Sequence, residues 1–211
     1  PTMYIKEIIS LIEEYAPLKF QASFDNSGLL CGDPERELTS VLLCIDVTEE
    51  VVNEAIAHGH NLIISHHPLI FKGIKQVSDQ NFIGRRVLRM IQDDISYYAM
   101  HTNFDAAPGC MADLAAKKLG LTDCEVLEKM GETGDGTSYG IGCTGRFEQP
   151  MTLRAAAEQV KEAFGLPYAA VFGELDGEAV IQKAAVCPGA GGSTMGEALA
   201  AGAQVYITGD I

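Results

Sequence analysis

The sequence has no tryptophan and no run of about 18 apolar residues, the length a membrane-spanning helix requires. Its first stretch, PTMYIKEIISLIEEYAP, lacks a basic segment followed by an unbroken apolar one, since Glu7, Glu13 and Glu14 interrupt it. No secretory leader is expected. The six cysteines (Cys31, Cys44, Cys110, Cys124, Cys143 and Cys187) form no CxxC pair. With Cys44 and Cys187 inside apolar strand-like runs, they read as buried reduced thiols rather than a disulfide framework. Positive charge is scarce: 15 Lys and Arg stand against 29 Asp and Glu, a formal net charge of -14. An acidic surface repels phosphate backbones and anionic lipid, which argues against nucleic acid or a membrane as the main partner. A small anion can still bind where divalent metals supply local positive charge. The one GxSxG match, GTSYG (136–140), leads into a strand-like run rather than the helix of a nucleophile elbow, and no cysteine has an evident histidine partner, which disfavours a serine or cysteine nucleophile. What remains is a chain of 211 residues, 47% hydrophobic and 21% charged, with no low-complexity stretch. That is enough for one large or two small domains, and a cytoplasmic globular protein is expected.

Periodicity predicts alternating helices and strands. Ile5, Ile8, Ile9 and Ile12 recur at helical spacing until Pro17, which cannot continue a helix. VLLCID (residues 41–46) reads as a buried strand. Thr48 caps the helix that follows, whose stripe of Val51, Val52, Ala55 and Ile56 ends at Gly59. Strands are expected at residues 61–65 and 95–100, with helices around Phe82 to Ile91 and from about Cys110 to Leu119. After a glycine-rich stretch at 131–136 come strand-like SYGIGCTGRF, a helix over 152–164, and strands near 168–172 and 179–187. Asp-Gly in LDGE (175–178) predicts a tight hairpin between those last two. The expected domains are 1–128, carrying most of the site, a smaller one over 129–185, and a return of the chain to the first over 186–211.

The chain also repeats itself. At a constant offset of 143 positions, VLLCIDVTEEVVNEAIAHGHNLIISHH aligns without a gap with AAVCPGAGGSTMGEALAAGAQVYITGD. Each copy reads strand, loop, helix, glycine cap, strand, which is one βαβ unit. SHHP ends the second strand of the first copy and TGD that of the second. Open α/β sheets place their ligands at the carboxyl ends of parallel strands, so His66 and His67 stand where function is expected, with Asp210 in the comparable place.

An HH pair alone is more often two hydrogen-bonded or surface histidines than a ligand pair. HTNFD (101–105) shifts the balance, because it too follows an apolar strand directly. His101 and Asp105 reach a shared point if the segment curls as a turn, and a carboxylate can bridge two metals. The bland alternative makes Asp105 a helix cap. Two such clusters at neighbouring strand ends favour a metal site. Elsewhere, His58 fits the last turn of a helix, His60 a loop, and Asp46 either an N-cap or a carboxylate behind a ligand. CPGAGGST (187–194) could cradle a phosphate but lacks the lysine of a Walker A loop.

FDNSGLLCG (24–32), the DVT after the first strand, ISHHPLIF, HTNFD with Gly109, and CPGAGGS with YITGDI together resemble the Nif-three-like dinuclear metal-centre family, also labelled GTP cyclohydrolase 1 type 2 homologue. Phe24 stands where that family often has Trp. The resemblance implies two α/β domains, a toroidal homohexamer, and two divalent transition metal ions per subunit, with His66, His67, His101 and Asp105 as ligands. It places the remaining ligands, a His and a Glu, after TGDI, so a shortened chain is expected. The leading expectation is a metal-dependent hydrolase of a small phosphorylated or heterocyclic substrate, using Zn, Mn, Fe or Co about 3.5 Å apart and bridged by Asp105. Its general acid is unassigned. The alternative is a non-catalytic metal-binding, metal-delivery or regulatory scaffold protein.

Overall fold

Leu62–Ser65 is buried at every residue, and that fixes its place: a strand with no polar face belongs inside a sheet covered on both sides. In the computed structural model, which describes all 211 residues, this segment is β3 of a four-stranded sheet. Its companions are β1 (Gly28–Cys31), β2 (Val41–Cys44) and β4 (Ser96–Ala99), in the order β1-β4-β3-β2. Strands β2, β3 and β4 run parallel, linked through α2 (Glu49–His58) and α3 (Phe82–Gln92), while β1 lies antiparallel against β4. Alternation assigns the faces. Ile63, Tyr97 and Ala99 pack with Val52, Ala55, Val87 and Met90 of α2 and α3. Leu62, Ile64 and Tyr98 turn the other way onto Ile5 of α1 (Ile5–Tyr15). The result is a helix–sheet–helix sandwich.

The chain divides into two compact units, Pro1–Phe104 and Asp105–Ile211, with the short helix α4 (Thr102–Ala106) spanning the division. The second unit holds its own four-stranded sheet, order β5-β6-β7-β8, made of Leu121–Glu132, Ser138–Thr152, Val180–Ala190 and Val205–Asp210. Leu119 from α5 (Met111–Leu119) and Ala156 from α6 (Leu153–Phe164) pack with Phe147, Ala184 and Val186 in its core. Both units are therefore mixed α/β, as the sequence predicts.

The repeat survives as geometry. Val41, Leu42, Leu43 and Cys44 pair with Leu62, Ile63, Ile64 and Ser65, and the residues at the constant offset, Ala184, Ala185, Val186 and Cys187, pair with Val205, Tyr206, Ile207 and Thr208. Helix α7 (Met195–Ala200) replaces α2 between them. The two helix-end glycines, Gly59 and Gly202, take left-handed φ values of 72° and 75°. His60 N–H and Ala203 N–H close the same turn onto Ala55 and Ala198 at 2.9 and 3.0 Å. Register, left-handed glycine and closing bond all match.

Two expectations fail. Residues 168–172 are not a strand, and Asp176-Gly177 therefore joins no hairpin. Pro167 removes a ladder donor, and Tyr168 and Phe172 stand 78% and 88% exposed, with the β7 edge they were to meet already taken by β6 and β8. Conversely, the mostly exposed Leu121–Glu132 is a twelve-residue edge strand that hydrophobicity did not reveal. The glycine-rich stretch is the turn that joins it to β6, closed by Thr133 N–H on Thr137 O at 2.8 Å. Gly140 allows that pairing, because a Cβ there would stand 1.9 Å from the Glu128 carbonyl oxygen. Gly140→Ala is expected to lower stability by about 1–3 kcal/mol, the range for overpacking. An unchanged denaturation midpoint would refute it. No helix is long and apolar enough to cross a membrane.

Candidate metal centre

The site is built where parallel strands stop. Past Ser65 the ladder continues without a strand: His66 N–H reaches Cys44 O at 3.2 Å and His67 N–H reaches Ile45 O at 3.0 Å. The chain then bends. Ser65 Oγ donates to His67 O at 2.7 Å, and the buried Tyr97 hydroxyl meets Ser65 Oγ at 2.6 Å while accepting from Leu69 N–H at 2.9 Å. This bend lets neighbouring side chains, which in a straight strand face opposite ways, turn to one point. At the end of β4, Met100 N–H closes onto Ser65 O at 2.9 Å, and His101 follows. The three rings lie 5.1, 5.2 and 5.6 Å apart, and one nitrogen from each falls within 4.8 Å of the others. Three histidines disposed in this way could hold a metal ion.

The hydrogen bonds behind the rings decide the tautomer. His66 Nδ1 is 2.9 Å from the Met100 carbonyl, His67 Nδ1 2.9 Å from Asp46 Oδ1, and His101 Nδ1 2.9 Å from Asp25 Oδ1. Each acceptor claims the proton on Nδ1, which leaves the lone pair of a neutral ring on Nε2. One carbonyl and two carboxylates behind three imidazoles is the arrangement that orients metal-ligating histidines and raises their basicity. Burial also lowers the pKa of His66, which favours its neutral form. The donor set thus fits a divalent transition metal on residues present in the chain.

Asp25 carries the most structure. Its side chain is wholly shielded, and burial by itself would push its carboxyl pKa up. Hydrogen bonds from Thr102 and His101 prevail and bring it down to about 2. It accepts from Thr102 N–H at 3.0 Å, Ser27 Oγ at 3.1 Å and the Thr102 hydroxyl. The sequence reading did not single it out. Its only local sign is the Asp-Asn-Ser turn, and its partner His101 lies 76 positions away. For Asp46 the two readings resolve: Thr48 caps α2 by accepting from Val51 N–H at 3.2 Å, which leaves Asp46 to His67.

The other expected residues fall as follows. Asp105 stands four residues after His101 on α4, so the HTNFD segment does curl as a helical turn, and Phe104 N–H closes it on His101 O at 3.0 Å. The buried Asn103 ties that turn to Ala16 O at 2.8 Å. His58 bonds the Glu54 carbonyl within its own helix, and His60 meets Ser40 Oγ at 2.6 Å. In the 187–194 turn, Gly191 N–H is engaged by Asp210 O and Thr208 Oγ1, both at 3.0 Å. That loop is busy with its own strand.

An α/β chain with histidines gathered at the carboxyl ends of parallel strands, each held from behind, defines a class of metal-competent proteins. This chain belongs to the Duf34/NIF3 (NGG1p interacting factor 3) family, whose model matches residues 3–211. It is 34% identical over 208 residues to a GTP cyclohydrolase 1 type 2 homolog of Clostridium perfringens, covering 99% of this chain and 78% of that protein. A protein of the same name from Streptococcus pneumoniae is 36% identical over 211 residues, covering 99% and 77%. Among solved structures, the Bacillus cereus protein related to NIF3 superposes with a TM-score of 0.90 at 28% identity, over 100% of this chain and 83% of that one. Staphylococcus aureus hypothetical protein SA1388 gives 0.89 at 32%, over 100% and 80%.

Proposed function

We propose that the chain is a dinuclear metal protein that hydrolyses a small phosphorylated or heterocyclic substrate. One observation carries the reading most of the way: all three histidines of the cluster are oriented through Nδ1, two of them by carboxylates. In this reading His66, His67, His101 and Asp105 would hold the metal pair, two ions of Zn, Mn, Fe or Co. When bound, such ions supply Lewis acidity and activate water for attack on a phosphoryl or carbonyl centre. The protein's own part is to hold each ring so that its Nε2 faces the shared point. Asp25 and Asp46 do so by accepting the Nδ1 protons, and Tyr97 by fixing the bend between His66 and Leu69. The name shared by the relatives points to a guanine nucleotide as one member of the substrate class. The same family likeness supports a homohexameric ring in the cytoplasm, which native mass measurement and cell fractionation would check.

A second reading, a non-catalytic metal carrier or regulatory scaffold, draws on one feature. The His67 side chain is 51% exposed, which opens a path for rapid metal exchange. Elemental analysis of the parent and of the His66→Ala, His67→Ala double variant separates presence from absence. The expected result is bound transition metal in the parent and its loss in the variant. Equal metal content in both would sink the ligand assignment. Hydrolysis of nothing in a panel of phosphoesters, nucleotides and cyclic amides by the metal-loaded parent, with fast transfer to a competing chelator, would favour the carrier.

A further inference from the structure

The segment after the histidine pair is long for a connection in so small a unit. Between β3, ending at Ser65, and α3, beginning at Phe82, there is neither helix nor strand. Connections of that length without structure of their own are uncommon in compact units unless they bind something. Phe71 on this loop is 42% exposed and Phe24 is 68% exposed. Their rings meet edge to face, centroids 6.4 Å apart at 61°. Neither ring belongs to either apolar core of the unit. Two large apolar rings held together in water cost hydration unless a partner covers them.

The pair is also fastened to the histidines. Asn26 Nδ2 donates to Ile70 O at 2.7 Å, tying the Phe71 loop to the segment of Phe24. Asn26 N–H donates at 2.8 Å to the Asp25 oxygen that also takes the His101 proton. Phe24 is thus the neighbour of the residue that orients His101, and Phe71 follows His67 by four positions. Lys72 and Lys75 come next on the loop, both exposed and neither in an ion pair, in a chain whose net charge is -14. Unengaged cations beside exposed rings match an anion that carries a flat apolar face.

We propose that Phe24 and Phe71 form a stacking wall of the metal site, and that with Lys72 and Lys75 they select a planar heterocycle bearing an anionic group, of the size of a nucleoside monophosphate. The proposal rests on the metal reading above and narrows its substrate to molecules that are both heterocyclic and anionic. A ring in edge contact with its neighbour keeps a face on which a base can stack. Loss of one such aromatic partner weakens base binding by about tenfold, within the range seen for base–aromatic stacking.

The test uses the full chain loaded with zinc, and adenosine monophosphate, guanosine monophosphate and ribose 5-phosphate as probes. Because the chain has no tryptophan, Phe24→Trp installs a single indole at the wall, which can be excited selectively over the seven tyrosines. The expected results are saturable quenching of that fluorophore by a nucleotide and calorimetric affinity for at least one nucleotide about tenfold above that for ribose 5-phosphate. Phe24→Ala and Phe71→Ala should each lose about tenfold in nucleotide affinity while keeping the parent's zinc content and melting temperature. The Lys72→Ala, Lys75→Ala variant should weaken nucleotide and ribose 5-phosphate alike. Ribose 5-phosphate bound as tightly as both nucleotides, no nucleotide binding, or full affinity in the Phe variants would overturn the proposal. So would a lower oligomer mass in the Phe variants, which would assign the rings to a contact between copies. Zinc missing from the parent would sink the metal reading alone, and the same nucleotide comparison on the metal-free chain would then decide the stacking wall.

Discussion

Asp25→Ala is expected to bind zinc about 10- to 100-fold more weakly than the parent and to lose about 1–3 kcal/mol of stability for each buried donor left without an acceptor. The two losses have one origin. The Asp25 side chain is wholly shielded and accepts from His101 Nδ1 at 2.9 Å, Thr102 N–H at 3.0 Å, Ser27 Oγ at 3.1 Å, and the Thr102 hydroxyl. Alanine leaves these donors facing a space that offers no acceptor, and a buried donor without a partner costs more than the bond itself contributed. His101 meanwhile loses the group that holds its proton on Nδ1. Its ring is then free to rotate or to take the other tautomer, either of which turns the lone pair away from the metal. Against a total of about 5–15 kcal/mol for a typical domain, the stability loss is a large fraction. Thermal melting followed by circular dichroism and zinc competition with a chromogenic chelator read the two effects separately. Asp25→Asn keeps the shape and removes the charge, so it should fall between parent and alanine in both. Parent-like melting and zinc affinity in Asp25→Ala would show that the network is ornamental.

Tyr97 gives the second large effect, and two substitutions divide it. Tyr97 is completely buried and packs with Ile63, Val87 and Ala99 in the face covered by α2 and α3. Tyr97→Ala removes the ring and should cost about 3–5 kcal/mol, the range for deleting a buried aromatic side chain. Tyr97→Phe removes only the hydroxyl. Leu69 N–H then loses its acceptor, and Ser65 Oγ loses its 2.6 Å partner, for a cost of about 1–3 kcal/mol. The hydroxyl also reaches the His67 carbonyl at 3.3 Å, so the bend that presents both histidines loosens in either variant. Tyr97→Phe should therefore weaken zinc binding out of proportion to its modest effect on denaturation. If zinc affinity holds at the parent level while stability falls, the hydroxyl serves packing alone.

Much of this could be read from residues in order, and the reasons are local. Strand β3 announced itself by an apolar run with no polar face. The α2 helix announced itself by Thr48 at one end and Gly59 at the other. The repeat was visible because each βαβ unit is closed by its own caps, and its register later matched pair for pair. HTNFD was read as following a strand directly, and the turn on which its shared point depends is where α4 begins. Three histidines of the expected ligand set were brought together by the fold. Strand β5 stayed hidden because its ladder partner lies in a later segment and its own side chains are mostly in water. Residues 168–172 misled for the opposite reason: they are apolar, yet no strand edge remained to receive them. Asp25 was invisible because nothing within its own turn announces a histidine 76 positions away. Local chemistry writes caps and faces into a sequence; a carboxylate behind a ligand is written only in the folded chain.

The sheet of the first unit is not assembled from equal parts. Strands β2, β3 and β4 pair with neighbours along the chain through single helices, while β1 finds β4 across nearly the whole unit. Loop-closure entropy makes that antiparallel pairing the slow and costly one, and local βαβ pairing the fast one. Asp25 stands just ahead of β1, so His101 receives its partner only when the farthest-travelled strand docks. Contact order therefore predicts that the finished three-histidine geometry forms late, which zinc binding followed during refolding would check. On that expectation a partly opened chain presents His66 and His67 without it, and coordination chemistry would report whether the sheet has closed.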